Sequence, residues 1–256
     1  MEQRNVCGFR STNDREGISL NLSLRSLATM AIICREHDLL FIMTPRTACT
    51  AVGELLRTHY GGEYLPPEDV LDRDGHTRIQ QKHSTLSELI ENGFLSREDS
   101  ARLLKFAAVR NPFDSLVSLY LKQRTKYQPL LLDPNSWVNR APAYARNMRY
   151  ASTHSFTAWV LKKCRKQLLK RLMGVPPSMF IDYIRGTDVV IRYENLGQEL
   201  NSVFGKAGLP VKAPLPMVNR TTERESADYR TWYSSFTATA VRLAFIEDFR
   251  RYGYRF

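Results

Sequence analysis

Between residues 38 and 60 the hydrophobic period changes abruptly, and that change constrains the fold more than any other feature of the chain. Residues 39–43 are a short continuous apolar run, the pattern of a strand buried on both faces. Thr44 and Pro45 break the run. From Thr50 onward Val52, Leu55, Leu56 and Tyr60 recur at helical spacing. The predicted unit is therefore strand, tight polar loop, helix. In such a unit the loop amides and the helix N-terminus converge on one point and favour an anion there. Arg46 adds a fixed positive charge, and Thr47 and Thr50 add hydroxyl groups. An ordinary turn between a strand and a helix has the same outline, so this stretch alone leaves both readings open. A nucleotide-kinase loop and a dinucleotide fingerprint are excluded, because residues 44–53 contain a single glycine, Gly53, and no Gly-Lys-Thr or Gly-Lys-Ser.

Two more apolar runs end in the same way. Residues 105–109 lead into Arg110, Asn111 and Pro112, where Asn111 suits a helix N-cap and Pro112 the first helical position. Phe113, Leu116, Val117 and Tyr120 form the expected buried stripe, with Ser118 off it about two turns into the helix. A strand-end arginine and a serine on the following helix can share one phosphate, by charge and by hydroxyl. A capped helix with an incidental salt bridge is the plainer alternative. Residues 189–192 make a third run, followed by Tyr193, Glu194, Asn195 and a helix carrying Leu200, Val203 and Phe204.

Elsewhere the signals are weaker. Residues 1–15 read as a loose lead-in, 16–37 as weakly helical, and 61–75 as a loop with Gly-Gly and Pro-Pro. Thr85 and Glu88 have capping-box spacing ahead of Leu86, Leu89 and Ile90, and a short helix is predicted over 96–104. Residues 125–153 lack a period and carry Tyr127, Trp137, Tyr144 and Tyr150 among prolines, which predicts a substrate loop or lid. A helix over 154–173 takes Phe156, Trp159, Val160, Leu168 and Leu172 as its apolar side. Its basic residues at 162, 163, 165, 166, 170 and 171 read most simply as a solvated face, alternatively as a landing strip for an anionic substrate. A last helix runs through Leu243, Ile246 and Phe249 and stops at Gly253.

At 256 residues, 43% of them hydrophobic, the chain suits one α/β domain over 1–256. The 37 basic against 26 acidic residues give +11, which favours a polyanion: nucleic acid, or a multiply charged nucleotide. Cys7, Cys34, Cys49 and Cys164 are scattered without metal-ligand spacing, as in reduced cytosolic proteins. The first residues lack the apolar core of a signal peptide, and Asn21, Arg25 and Ser26 interrupt the only other apolar stretch near the start. The expectation is a cytoplasmic protein without a membrane partner.

Residues 45–51, Pro-Arg-Thr-Ala-Cys-Thr-Ala, resemble the 5′-phosphosulfate loop of sulfotransferases that use 3′-phosphoadenosine-5′-phosphosulfate (PAPS). The loop is most similar to that of the carbohydrate-type branch, which has Lys where Arg46 stands; Arg keeps the charge and changes its geometry. Arg110, Asn111-Pro112 and Ser118 are similar to the family's 3′-phosphate motif, with Ser115 where a second basic residue is usual. The run Arg192-Tyr193-Glu194-Asn195-Leu196 resembles the stretch whose tyrosine lies near the adenine, and the polar loop holding Arg220 is similar to one that covers the cofactor.

The resemblance covers residues 38–256. It implies a three-layer, P-loop-like α/β fold with a central, mostly parallel sheet flanked by helices. It also implies transfer of a sulfuryl group to a hydroxyl or amine of a small-molecule metabolite or a saccharide. Adenosine 3′,5′-bisphosphate would be released, and no metal is needed. Arg46 would be catalytic and, with Thr47, Ala48, Cys49, Thr50 and Ala51, would hold the phosphosulfate. Arg110 and Ser118 would hold the 3′-phosphate, with Tyr193 and Arg220 completing the site. His83, between the two motifs in the context Lys82-His83-Ser84-Thr85, is favoured over His76 as base, with a glutamate as the alternative. Animal members of the carbohydrate-type branch are membrane-anchored, so the resemblance also implies a bacterial-type cytoplasmic relative. Two readings compete: a small-molecule kinase on a related nucleotide fold, and a non-catalytic nucleic-acid binder. Two strand-end anion sites in the expected order are more specific than net charge, so nucleic acid is not the expected partner.

Overall fold

Strand pairing joins segments far apart in the sequence into one five-stranded sheet with the order β3-β1-β2-β6-β7. The computed structural model describes residues 31–79, 84–216 and 228–256. β1 (Ala31–Cys34) and β2 (Leu39–Ile42) are antiparallel, closed by a 3₁₀ turn over Arg35–His37 and by Asp38 in the left-handed region. α1 (Cys49–His59) follows, and β3 (Glu63–Leu65) returns antiparallel to β1. β4 (Val70–Leu71) and β5 (Thr77–Ile79) form a separate hairpin. Next come α2 (Leu86–Glu91), α3 (Arg97–Arg102) and β6 (Leu104–Val109), the last parallel to β2. α4 (Pro112–Arg124), α5 (Pro142–Thr153), α6 (Phe156–Leu172) and α7 (Ile181–Ile184) precede β7 (Val189–Arg192), which pairs parallel to β6. α8 (Leu196–Lys206), α9 (Ser235–Ala244) and α10 (Ile246–Tyr252) complete the chain.

The pleat sends alternate residues to opposite faces, and helices cover both. Ile32, Phe41, Phe106 and Ile191 face α1 and α8 through Val52, Leu56, Leu200 and Phe204. Ile33, Leu40, Ile42, Ala107 and Val109 face α2 and α7 through Leu89, Phe180 and Ile184. Phe41 and Phe106 stack across the β2–β6 pair at 4.7 Å. Each such buried side chain stabilises the fold by about 2 kcal/mol. A further core joins α4, α6, α9 and α10 through Phe113, Val117, Trp159, Val160, Val241 and Phe249.

Local signals correspond to local structure. Asn111 accepts the Phe113 amide at 3.1 Å with Pro112 at the first helical position. Thr85 and Glu88 exchange both bonds of a capping box. Three expectations are corrected. Residues 31–34 are a strand, not helix, because pairing on both sides outweighs their weak helical period. The expected loop over 61–75 contributes β3 to the sheet and β4 to the hairpin. Residues 125–153 are largely ordered: a 3₁₀ turn at Gln128–Leu131, then α5. The expected α/β sheet flanked by helices is present: β2, β6 and β7 are parallel, while β1, turning directly into β2, and β3, returning after α1, pair antiparallel on one side, so the sheet is mixed. No helix of the described residues is long and apolar enough to cross a membrane.

Candidate active site

Because β2, β6 and β7 are parallel, their carboxyl ends lie side by side on one sheet edge. Strands are spaced about 4.8 Å apart, so the residues just beyond those ends are forced together. Arg46, Arg110 and Tyr193 are those residues.

The first loop is built for an anion. Arg46 and Ala48 both adopt left-handed backbone, φ 69° and 58°, which turns the chain sharply between β2 and α1. Ala48 is the N-cap of α1 and supplies no side-chain cap. The intrahelical ladder begins with the Ala51 and Val52 amides, which both donate to the Ala48 carbonyl. The amides before them lie outside that ladder, at the positive end of an eleven-residue helix. Cys49 and Ala51 point into the core, so they can serve a ligand only through the backbone. Thr47 is also buried, and its hydroxyl donates to the Thr44 carbonyl at 2.9 Å. Thr47 therefore shapes the loop with its side chain, whereas Thr50 is only half-buried.

Contacts join the two motifs directly. Arg46 donates to Ser118 Oγ from Nε at 3.2 Å and from Nη2 at 2.6 Å. Arg110 Nη1 donates to the Arg46 carbonyl at 3.0 Å, while its Nε and Nη2 engage Asp114 Oδ2 at 2.7 and 2.5 Å. Those bonds use three of the guanidinium's five N–H groups, which leaves donors for a ligand. The Arg110 guanidinium lies 4.0 Å over the Tyr193 ring, a cation–π contact that fixes its plane. Tyr193 thus meets the site from β7's end, by holding Arg110.

Ser118 is not on an exposed side of α4. It is 2% exposed, and Ser115, Lys122 and Gln123 are buried as well. The sequence stripe is the side that packs on α6 and α9; Ser118 lies off it and is met by the Arg46 guanidinium, while α5 also packs on α4.

Several site residues were not foreseen in these roles. Asp114, four positions after Arg110, orients it. Glu194 accepts the Asn111 amide at 2.7 Å and the Tyr254 hydroxyl at 3.1 Å, tying the end of β7 to the start of α4. Lys122, one turn beyond Ser118, is 3% exposed, with Nζ 6.0 Å from the Tyr127 ring centre. Burial pushes the Tyr127 phenol up, and the adjacent Arg46 charge partly offsets this. Tyr144 is also pushed up by burial and packs on Trp137 at 5.0 Å. The aromatic segment expected near an acceptor therefore walls the loop on Arg46's side. The i+4 spacings of Asp114 and Lys122 were the available signals.

His83 and Arg220 lie outside the described residues. His76 sits in the exposed β4–β5 turn, where its amide donates to Asp72 Oδ1 at 2.8 Å and its ring lies 3.9 Å from Asp72 Oδ2.

The parallel edge of this sheet thus brings Arg46 and Arg110 together on an α/β framework, an arrangement with the chemistry to receive an anion. The chain belongs to the sulfotransferase family: the profile so described matches residues 29–255. The family's reaction is sulfuryl transfer, so the protein is a transferase. Neither a curated protein nor a solved structure matches the chain significantly.

Proposed function

We propose that the protein transfers a sulfuryl group from PAPS to a hydroxyl or amine of a small-molecule metabolite or saccharide, by in-line displacement. The observation that carries this reading is the union of the two anion motifs, with Arg46 on Ser118 Oγ and Arg110 on the Arg46 carbonyl. The residues fit such a donor: an uncapped helix N-terminus beside Arg46, the buried Ser118 hydroxyl on the Arg46 guanidinium, and Arg110 with N–H groups to spare. The donor supplies an activated sulfuryl group whose departure leaves negative charge on a phosphate oxygen. Arg46 and the amides ahead of α1 would counter that charge as it grows, in a partly dry site where it counts for more than in water. Arg110 and Ser118 would take the 3′-phosphate. His83 would accept the acceptor's proton, a role that requires His83→Ala to lose turnover and keep nucleotide affinity. Cys34, Cys49 and Cys164 are buried and outside any disulfide, which supports a cytoplasmic setting. The strand–loop–helix unit supports a P-loop-like relationship.

The test is calorimetric. Adenosine 3′,5′-bisphosphate should bind about 30- to 1,000-fold more tightly than adenosine 5′-monophosphate, because a charge-assisted bond and a hydroxyl bond read the 3′-phosphate. Ser118→Ala should shrink that ratio. Arg110→Lys is the cleaner arginine variant, because alanine would strand Asp114 and release the Arg46 carbonyl. Equal affinity of the wild type for the two nucleotides would sink the assignment.

A further inference from the structure

The amino-terminal half of α6 is held through Phe156, Trp159, Val160 and Cys164. Its carboxyl half leaves the body of the protein. From residue 165 to 174 only Gln167 is partly covered, its amide donating to the Pro176 carbonyl at 3.0 Å. The two leucines expected on the apolar side are therefore in solvent, Leu168 at 36% exposed and Leu172 at 84%, and so are Leu169 at 51% and Met173 at 83%. Leu172 neighbours Leu168 across i,i+4 and Leu169 across i,i+3, so the three form one apolar patch at the tip.

The same helix carries Lys162, Lys163, Arg165, Lys166, Lys170 and Arg171, and residues 156–173 include no Asp or Glu. Burial, and after it repulsion from Lys166 and Lys162, pushes the Lys163 ammonium down to about 8. A solvated surface helix has no use for four large apolar side chains at its free end. A nucleic acid or a free polysaccharide would match the cations and leave the leucines in water. A surface that is apolar just beneath a layer of anionic groups matches both.

We propose that the tip of α6 docks the protein peripherally on an anionic lipid surface. Leu168, Leu169, Leu172 and Met173 enter the acyl boundary, while Lys166, Lys170 and Arg171 lie at the level of the phosphates. Arg165 reaches the same level by extending its stem along the leucines. Such a helix lies on a membrane and does not span it, so the proposal departs from the expectation of no membrane partner, which rests on the lack of a leader or spanning segment. The proposal is independent of the active-site reading.

The experiment is co-sedimentation of the full chain with vesicles of phosphatidylcholine alone and with phosphatidylglycerol as a minor component. Binding is expected only to the anionic vesicles, weakening as salt is raised. Leu169→Ser with Leu172→Ser should lower partitioning about tenfold or more and leave retention on heparin unchanged, because every cation remains. Lys166→Glu with Lys170→Glu should lower both. All four positions are exposed, and circular dichroism checks that the variants are folded. Failure of the wild type to bind anionic vesicles, or equal binding to neutral ones, would overturn the proposal. So would wild-type partitioning of the leucine variant, which would leave a site for free polyanions.

Discussion

Arg46 carries the charge of the first loop at a backbone position that strains it by about 1 to 3 kcal/mol. At φ 69° its backbone turns toward α1 while its guanidinium reaches Ser118. In the proposed reaction that geometry would put a cation where charge develops. Arg46→Ala should lower kcat by about 10²- to 10³-fold, the usual effect of losing one preorganised donor at developing charge. Arg46→Lys should recover much of this, because the charge is kept although the fork is lost. Steady-state kinetics decides: a change confined to KM would make Arg46 a positioning residue only. The charge at 46 is evident in the sequence. Its contact with Ser118, seventy-two positions away, is not.

Among the elements, α1 and β3 show how a loop signal conceals a strand. Gly61 takes φ 62° with open space around a would-be Cβ, the ordinary reason for a glycine after a helix. Gly62 differs. A Cβ there would stand 2.7 Å from Ile32 Cγ2 and 2.9 Å from the Leu56 carbonyl carbon, while its amide donates to Leu56 at 3.1 Å. The chain must pass this close to bring β3 alongside β1. Gly62→Ala should destabilise the protein by about 1 to 3 kcal/mol, read as a lower denaturant midpoint. An unchanged midpoint would mean that Ile32 and α1 yield without cost. Gly-Gly predicted a turn correctly, but the strand after it depends on a partner thirty-four residues earlier (Ala31 with Leu65).

For the whole molecule, Asp248 ties α10 to the segment after α6. It is 1% exposed and accepts the Ser178 hydroxyl at 2.5 Å and the Met179 amide at 2.6 Å. Burial pushes its carboxyl up to about 6, although both bonds work the other way. The folded state therefore holds this proton more tightly than the unfolded chain does. The resulting stabilisation is complete below about pH 4 and is lost as pH rises through about 6, with a ceiling of about 3 kcal/mol. Asp248→Asn should flatten the stability profile across that window. A wild-type slope surviving in the variant would assign it to another group. The residue looks unremarkable in the sequence, one acid in a charged terminal helix.

What the sequence by itself determined is what short range decides. The three strand-to-helix transitions, the Asn111 and Thr85 caps, and the identities of Arg46, Arg110 and Ser118 depend on neighbours within a turn or a strand. Tertiary structure alone decided the convergence of those residues on one edge, because parallel pairing of β2, β6 and β7 is set by long-range register. It also buried Ser118 and Lys122, which the periodicity of α4 cannot show, because the side chains that meet them, Arg46 and Tyr127, come from other segments. At the end of α6 it did the reverse: leucines that periodicity assigns to a core stand in solvent, because the body of the protein ends before the helix does.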